Sequence, residues 1–309
     1  MRISRQGSRP ARASGGIRVA DLHQDWLACM RRGDFSGAWA VNAAVLARQP
    51  SETRDDPRQP YHLRWVWDGR PFAGRHVLVR CYHGLGDTLQ FARFLPALAV
   101  QAASVTLECQ PSLVPLLAGT LGVDRLIPFD VAFPTAPAEC DIEIMELAFA
   151  LRLRPDAVPL PTLRAPAPVP LPPGTLGLCW TVGDWDKARE VPPALLAPLA
   201  AAHTCVSLVP GPAPLPCLNP AGSPANLLAT AALIGGAARV VTVDTMVAHL
   251  AGTLGRPVSL LLKHEADWRW MDARRDSPWY PTMRLYRQPR PGDWAAVVAA
   301  VAADLNGQA

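Results

Sequence analysis

The stretch that most restricts the fold of this chain is VVTVDTMVAHLAGTLGRPVSLLL, residues 240–262. Val240, Val241 and Val243 form an almost unbroken β-branched run instead of alternating with polar residues, as in a parallel strand covered on both faces. The pattern predicts a strand over 239–243, a sharp turn at Asp244-Thr245, a helix from about 246 to 254, a stop at Gly255 and a second buried strand from 257. Strand, helix and strand in that order make the crossover unit of an α/β sheet. Ligands of such sheets sit beyond the carboxyl ends of the strands. There Asp244, Thr245 and the first backbone N–H groups of the helix converge, and an anion such as a nucleotide phosphate is the expected guest.

The same grammar runs through the rest of the sequence. Residues 76–80 read as a buried strand, 82–87 as a glycine-containing loop and 88–99 as a helix. Strands are then expected at 104–109, 125–129 and 141–145, with helical material between the first two. A proline-rich segment, 155–173, reads as an extended linker. Beyond it come strands at 175–180 and 204–209, helices at 193–202 and 226–237, a last strand at 283–288 and a terminal helix at 292–305. The alternation predicts two Rossmann-like, doubly wound parallel sheets facing a cleft. Boundaries are expected at 60–165 and 174–290, with residues 291–309 as the terminal helix. Ahead of them, residues 21–50 have the apolar spacing of a helical hairpin similar to one tetratricopeptide unit. No second copy follows, and one unit cannot bury its own face, so the hairpin is expected to pack on the next domain.

Composition narrows the function classes. Charged residues make up 18% of the 309, and much of the net charge of +4 lies in the first eighteen residues, where Arg2, Arg5, Arg9, Arg12 and Arg18 meet no acid. Residues 1–20 therefore read as a disordered basic tail with a weak attraction to anionic lipid. The body is near neutral, which argues against nucleic acid as a partner. The tail lacks the apolar segment of a secretory signal, and no run approaches a membrane span. Seven cysteines, without a C-x-x-C pair, fit a reduced cytoplasm and no metal site.

Four groups of residues carry chemistry. Gly84-Leu85-Gly86-Asp87 lies between strand and helix. Asp87 there either reaches a cleft or caps the helix, and spacing alone favours the cap. Glycines at 84 and 86 with Leu89 do not make a dinucleotide fingerprint, which leaves an oxidoreductase a distant reading. Lys187 and Arg189 either clamp a diphosphate or are balanced by Asp184, Asp186 and Glu190. His249, five residues after Asp244, either donates to a phosphate or ribose oxygen or is a satisfied core histidine, and the two readings stand level. Trp268 and Trp279, within an aromatic and arginine-rich loop, suit stacking on a base or sugar and suit plain packing equally well.

HGLGDTLQFARFLPALA (83–99), VTVDTMVAHLAGTLGRPV (241–258) and DWRWMDARRDSPWYPTMRLYRQPRPGDW (267–294) together resemble the heptosyltransferase-like glycosyltransferases of GT-B fold. This is the superfamily of ADP-heptose:lipopolysaccharide heptosyltransferases, and the resemblance is nearest to its bacterial, tetratricopeptide-linked branch. It covers about residues 60–305. It implies a metal-independent, inverting transfer of a sugar, heptose in the family's own case, from a nucleotide-diphosphate donor to an acceptor hydroxyl. No cofactor is implied beyond that donor substrate. Asp87 would be the general base, with Gly84, Gly86, Thr88 and Gln90 around it on the acceptor side. Lys187, Arg189, Asp244, Thr245 and His249 would hold the donor diphosphate, and Trp268 and Trp279 the sugar or base. The acceptor would be a glycan, lipopolysaccharide or protein, reached in the cytoplasm or at the inner face of the membrane. The terminal helix would cross back onto the first domain. Met246 stands where the motif usually has Gly, and Glu190 where the repeat-linked branch tends to have Ser. The alternative these departures leave is a decayed nucleotide-binding or scaffold module.

Overall fold

The computed structural model describes residues 19–307, so most of the expected basic tail lies outside the described residues. The chain forms two all-parallel sheets, as the buried apolar runs predict. In the first, β1 (His76–Arg80), β2 (Ser104–Cys109), β3 (Arg125–Pro128) and β4 (Cys140–Glu143) lie in the order β3-β2-β1-β4. In the second, β5 (Leu176–Cys179), β6 (Cys205–Ser207), β7 (Arg239–Val243), β8 (Val258–Leu262) and β9 (Met283–Arg287) lie in the order β6-β5-β7-β8-β9. Strand order reverses between β1 and β4 and between β5 and β7. These switch points open a crevice at the strand ends, and such crevices are where α/β sheets bind ligands.

Capping residues set several helix starts. Asp34 accepts the Gly37 N–H at 2.9 Å ahead of α2 (Phe35–Leu46), which pairs with α1 (Val19–Arg31) in the expected hairpin. Later in the chain come α3 (Leu85–Phe91), α4 (Leu95–Ala99), α5 (Val114–Leu117), α6 (Leu147–Leu151), α7 (Pro193–Ala202), α8 (Leu227–Gly236), α9 (Met246–Thr253) and α10 (Trp294–Asn306). Asn226 and Asp293 cap α8 and α10 in the same way as Asp34 caps α2. The glycine-containing stretch is a correction: α3 begins at Leu85, so Gly86 and Asp87 occupy a helical turn that the sequence suggested was loop.

The reason for a glycine inside that helix lies in the other half of the molecule. A Cβ at Gly86 would stand 2.6 Å from His249 Cδ2, so its absence lets α3 lie directly on α9. Gly252 on α9 makes the same kind of room for the Tyr280 ring. Arg93, buried, ties the seam from another side. It donates to the carbonyls of Gln90 (3.0 Å), Pro155 (3.3 Å) and Trp279 (2.6 Å), which belong to the first half, the start of the linker and the second half. The linker itself is pinned where Arg164 N–H meets the Leu116 carbonyl (2.7 Å) and Val169 N–H meets that of Ala232 (3.0 Å).

The hairpin packs on both halves. Trp26 meets Trp268 edge-on at 5.0 Å, Phe35 meets Trp279 at 6.3 Å, and Arg152 reaches the Trp39 carbonyl. The terminal helix α10 runs from Trp294 to Asn306. It packs on α7, β8 and β9 of its own half, where Asp304 accepts the Tyr286 hydroxyl at 2.7 Å and pairs with Arg284 at 2.9 Å. Its apolar stripe of Val297, Val298 and Val301 is spent there.

Candidate functional site

One arginine on the loop between β8 and β9, which no motif singles out, ties the first switch point to the second half. Arg269, only 9% exposed, sends Nη2 to Asp87 Oδ1 (2.5 Å), Nη1 to Asp267 Oδ1 (2.8 Å) and Nε to Gln90 Oε1 (2.9 Å). The Trp268 ring lies under its guanidinium at 4.3 Å. Burial opposes the charge, but Asp267 and Asp87 outweigh it and hold Arg269 firmly protonated. Asp87 Oδ2 reaches back to the Gly84 N–H at 2.9 Å, closing the first turn of α3. The capping and cleft readings of Asp87 are therefore both realised in one carboxylate: one oxygen caps, the other faces the second half.

At the second switch point Asp244 is buried, and its carbonyl accepts Arg189 Nη1 at 3.0 Å, with Oδ2 a further 3.7 Å contact. Burial, and then the nearby Asp267 charge, push the Asp244 carboxyl up to about 6. Thr245 caps α9 with its backbone only, leaving its hydroxyl and the first helical N–H groups beside Met246. Lys187 turns away from this group. It is exposed and pairs with Glu190 (3.1 Å) and Asp184 (3.5 Å), so the charge-balanced reading of that loop holds for Lys187 while Arg189 reaches Asp244. Glu190 also accepts the Val182 N–H, shaping the loop.

Several expected ligand residues sit elsewhere. His249 is packed between Gly86, the Trp270 ring at 5.5 Å and the Tyr280 hydroxyl at 3.0 Å, and burial, then the Arg269 charge, push it down to about 4. A neutral imidazole in that position joins the two halves; the satisfied-core reading describes it. Thr88 is fully buried and donates to Gln110, which in turn bonds the Cys81 and His83 carbonyls and fixes the loop beneath. Gln90 supports Arg269 from within the core. Trp279 is buried against Phe35 and Phe91, and Trp268 meets Trp26.

Both tryptophans instead line a cavity of about 260 Å³ at the first switch point, between the hairpin and the β1 and β4 loops. Its polar end is made by His83, Glu143 and Glu146. Glu143 accepts His83 Nδ1 (3.1 Å) and the Met145 N–H (2.7 Å), and Glu146 accepts the Trp67 and Glu143 N–H groups at 3.2 and 3.0 Å. Burial, opposed by these N–H groups and reinforced by Glu143, pushes the Glu146 carboxyl up to about 8. At neutral pH it is mainly protonated. A carboxyl with a raised folded-state pKa contributes stability at low pH that is lost as pH rises toward that value. We expect wild type to lose stability relative to Glu146→Gln between about pH 5 and 8, by up to about 1.4 kcal/mol per unit and less where cavity water reaches the group. Parallel urea melts of the two proteins at pH 5, 7 and 9 would settle it; identical pH profiles would mean that Glu146 titrates as an ordinary carboxyl.

Among the described residues, no three His, Cys, Asp or Glu side chains are grouped as a metal would need. No family model matches the chain, and no curated protein matches it in sequence. Solved structures do match the fold. The family 9 glycosyl transferase of Veillonella parvula superposes with a TM-score of 0.52 at 10% identity, covering 78% of this chain and 99% of the other. The E. coli ADP-heptose lps heptosyltransferase II gives 0.52 at 16% identity, covering 75% and 99%. The iron-containing dodecameric glycosyltransferase of enterotoxigenic E. coli gives 0.51 at 13% identity, covering 77% and 78%. The architecture is thus the GT-B arrangement of the heptosyltransferases.

Proposed function

We propose that the protein is a glycosyltransferase that moves a sugar, with heptose the first candidate, from a nucleotide-diphosphate donor to an acceptor hydroxyl, with inversion and without a metal. The observation that carries this reading is the Asp87–Arg269–Asp267 bridge. It brings the Asp87 carboxylate of the first half to the loop after β8 in the second, whose Asp267 and Arg269 charges act on Asp244. In the transfer, Asp87 takes the acceptor proton as the acceptor oxygen attacks the anomeric carbon. The bond from that carbon to the diphosphate breaks with its electron pair left on phosphate oxygen. Arg189 and the N–H groups opening α9 meet that charge. Arg269 orients the Asp87 carboxylate through its Nη2 contact to Oδ1. The acceptor is a glycan, lipopolysaccharide or protein. A cytoplasmic setting suits the seven free cysteines. Among the described residues, no helix is long and apolar enough to cross a membrane.

A second reading, a nucleotide-binding scaffold without turnover, draws on Lys187, whose charge is met by its own loop. A thermal-shift screen with ADP, GDP, UDP and CMP tests the donor site common to both. A nucleotide at 100 times its Kd should stabilise the fold by about 2.7 kcal/mol, and no shift with any of them would refute it. Sugar release from the matching nucleotide sugar then separates enzyme from scaffold. Arg189→Ala should weaken calorimetric affinity for the diphosphate about 10- to 100-fold, the size of one hydrogen bond to a charged group. Unchanged affinity would remove Arg189 from the donor site.

A further inference from the structure

Nothing in the transfer chemistry requires the N-terminal hairpin, yet the hairpin closes the cavity at the first switch point. Helix α2 carries only Ser36 and Asn42 as polar side chains, and a helix so apolar is normally covered over most of its surface. Here only Phe35 and Ala38 of α2 are buried. Trp39, Val45 and Leu46 are half-buried and form one wall of the cavity, and Trp67 and Phe149 of the first half form another. The space, about 260 Å³, is smaller than the roughly 300–1,000 Å³ of pockets for drug-sized ligands, so it fits one ring rather than a chain.

The polar end decides what kind of ring. Arg64 lies at the cavity, Glu143 is bonded to His83, and Glu146 carries its proton near neutral pH. Glu143 is already engaged by His83 and by the Tyr82 and Met145 N–H groups, and the Arg64 guanidinium lies in the same lining, which disfavours an ammonium ligand despite the aromatic walls. Indole and phenyl faces stack on the C–H face of a pyranose, and carboxyl, imidazole and the Asn42 amide match its hydroxyls. The wall also adjoins the proposed base. The same Arg269 Nη2 that bonds Asp87 lies 3.9 Å from Met145 Sδ, and its guanidinium covers Trp268; Met145 and Trp268 both line the cavity.

We propose that this hairpin-capped cavity is the acceptor subsite and takes one neutral pyranose ring whose free hydroxyl is turned toward Asp87. The assignment of the ring as acceptor rests on the transferase reading; its binding does not. Saturation-transfer NMR on the full chain, with methyl pyranosides of glucose, galactose, mannose and rhamnose as probes, reads the cavity directly. At least one should give ring-proton saturation that falls five-fold or more in Asn42→Trp, which fills the space from the half-exposed face of α2. Val45→Phe serves as a second plug, and both variants are compared with wild type for thermal midpoint and nucleotide shift. No saturation with any glycoside, equal saturation in well-folded plugged variants, or stronger saturation of tetramethylammonium than of the sugars would each overturn the proposal. A nucleotide shift that persists while the glycoside signal fails isolates this inference as the error. Glycoside binding without any nucleotide shift faults the transferase reading instead.

Discussion

Asp87→Asn should lower the rate of sugar transfer by about 10²- to 10⁴-fold, the usual worth of a positioned general base, while affinity for the nucleotide stays within two-fold. The asymmetry follows from the geometry. An amide oxygen still accepts the Gly84 N–H or an Arg269 N–H, so α3 keeps its first turn and the seam keeps most of its contacts. What is lost is a group able to take the acceptor proton. Asp87 lies across the seam from Arg189 and Asp244, so the donor side is untouched. Turnover equal to wild type, measured with saturating donor, would rule Asp87 out as the base.

Removing the arginine should do more damage to the fold than to any one step. Arg269→Met leaves Asp87 and Asp267 without their shared counter-ion beside a buried Asp244. Breaking a buried pair from one side typically costs about 3–5 kcal/mol, here a fall in melting midpoint of about 10 °C. Arg269→Lys should recover only part of that, since an ammonium cannot reach Asp87, Asp267 and Gln90 as a planar fork. The deficit should shrink in acid. Asp244, already pushed up to about 6, loses the Arg269 charge that holds it down, and stability tied to a raised carboxyl pKa is regained as pH falls below it. Melts at pH 8 and pH 5 would show this, and a variant melting within two degrees of wild type at pH 8 would mean that the bridge is not a structural element.

The strands were the most legible part of the sequence. A parallel strand covered on both sides has an unbroken apolar centre instead of an alternating one, so the runs at 76–80 and 239–243 mark β1 and β7 to the residue. The start of α3 was hidden because Gly84 and Gly86 signal a loop locally, while the second glycine answers to His249 in the other half. Arg269 was hidden for the same kind of reason. It lies 182 positions from its Asp87 partner, and nothing about Trp-Arg-Trp distinguishes a core guanidinium from a surface one. The chemical character of Trp268 and Trp279 was readable, but the surface they line is completed by a hairpin more than two hundred residues earlier. His83, Glu143 and Glu146 carry no common signal in the sequence because β1 and β4 become neighbours only through the strand order.

The two arginines at the seam differ in what they respond to. Arg269 is held chiefly by two carboxylates, Asp87 and Asp267. Arg93 is held by three carbonyl oxygens, one each from α3, the linker and the loop before β9, and carbonyls do not titrate. One fastener therefore depends on the charge of its partners and the other does not.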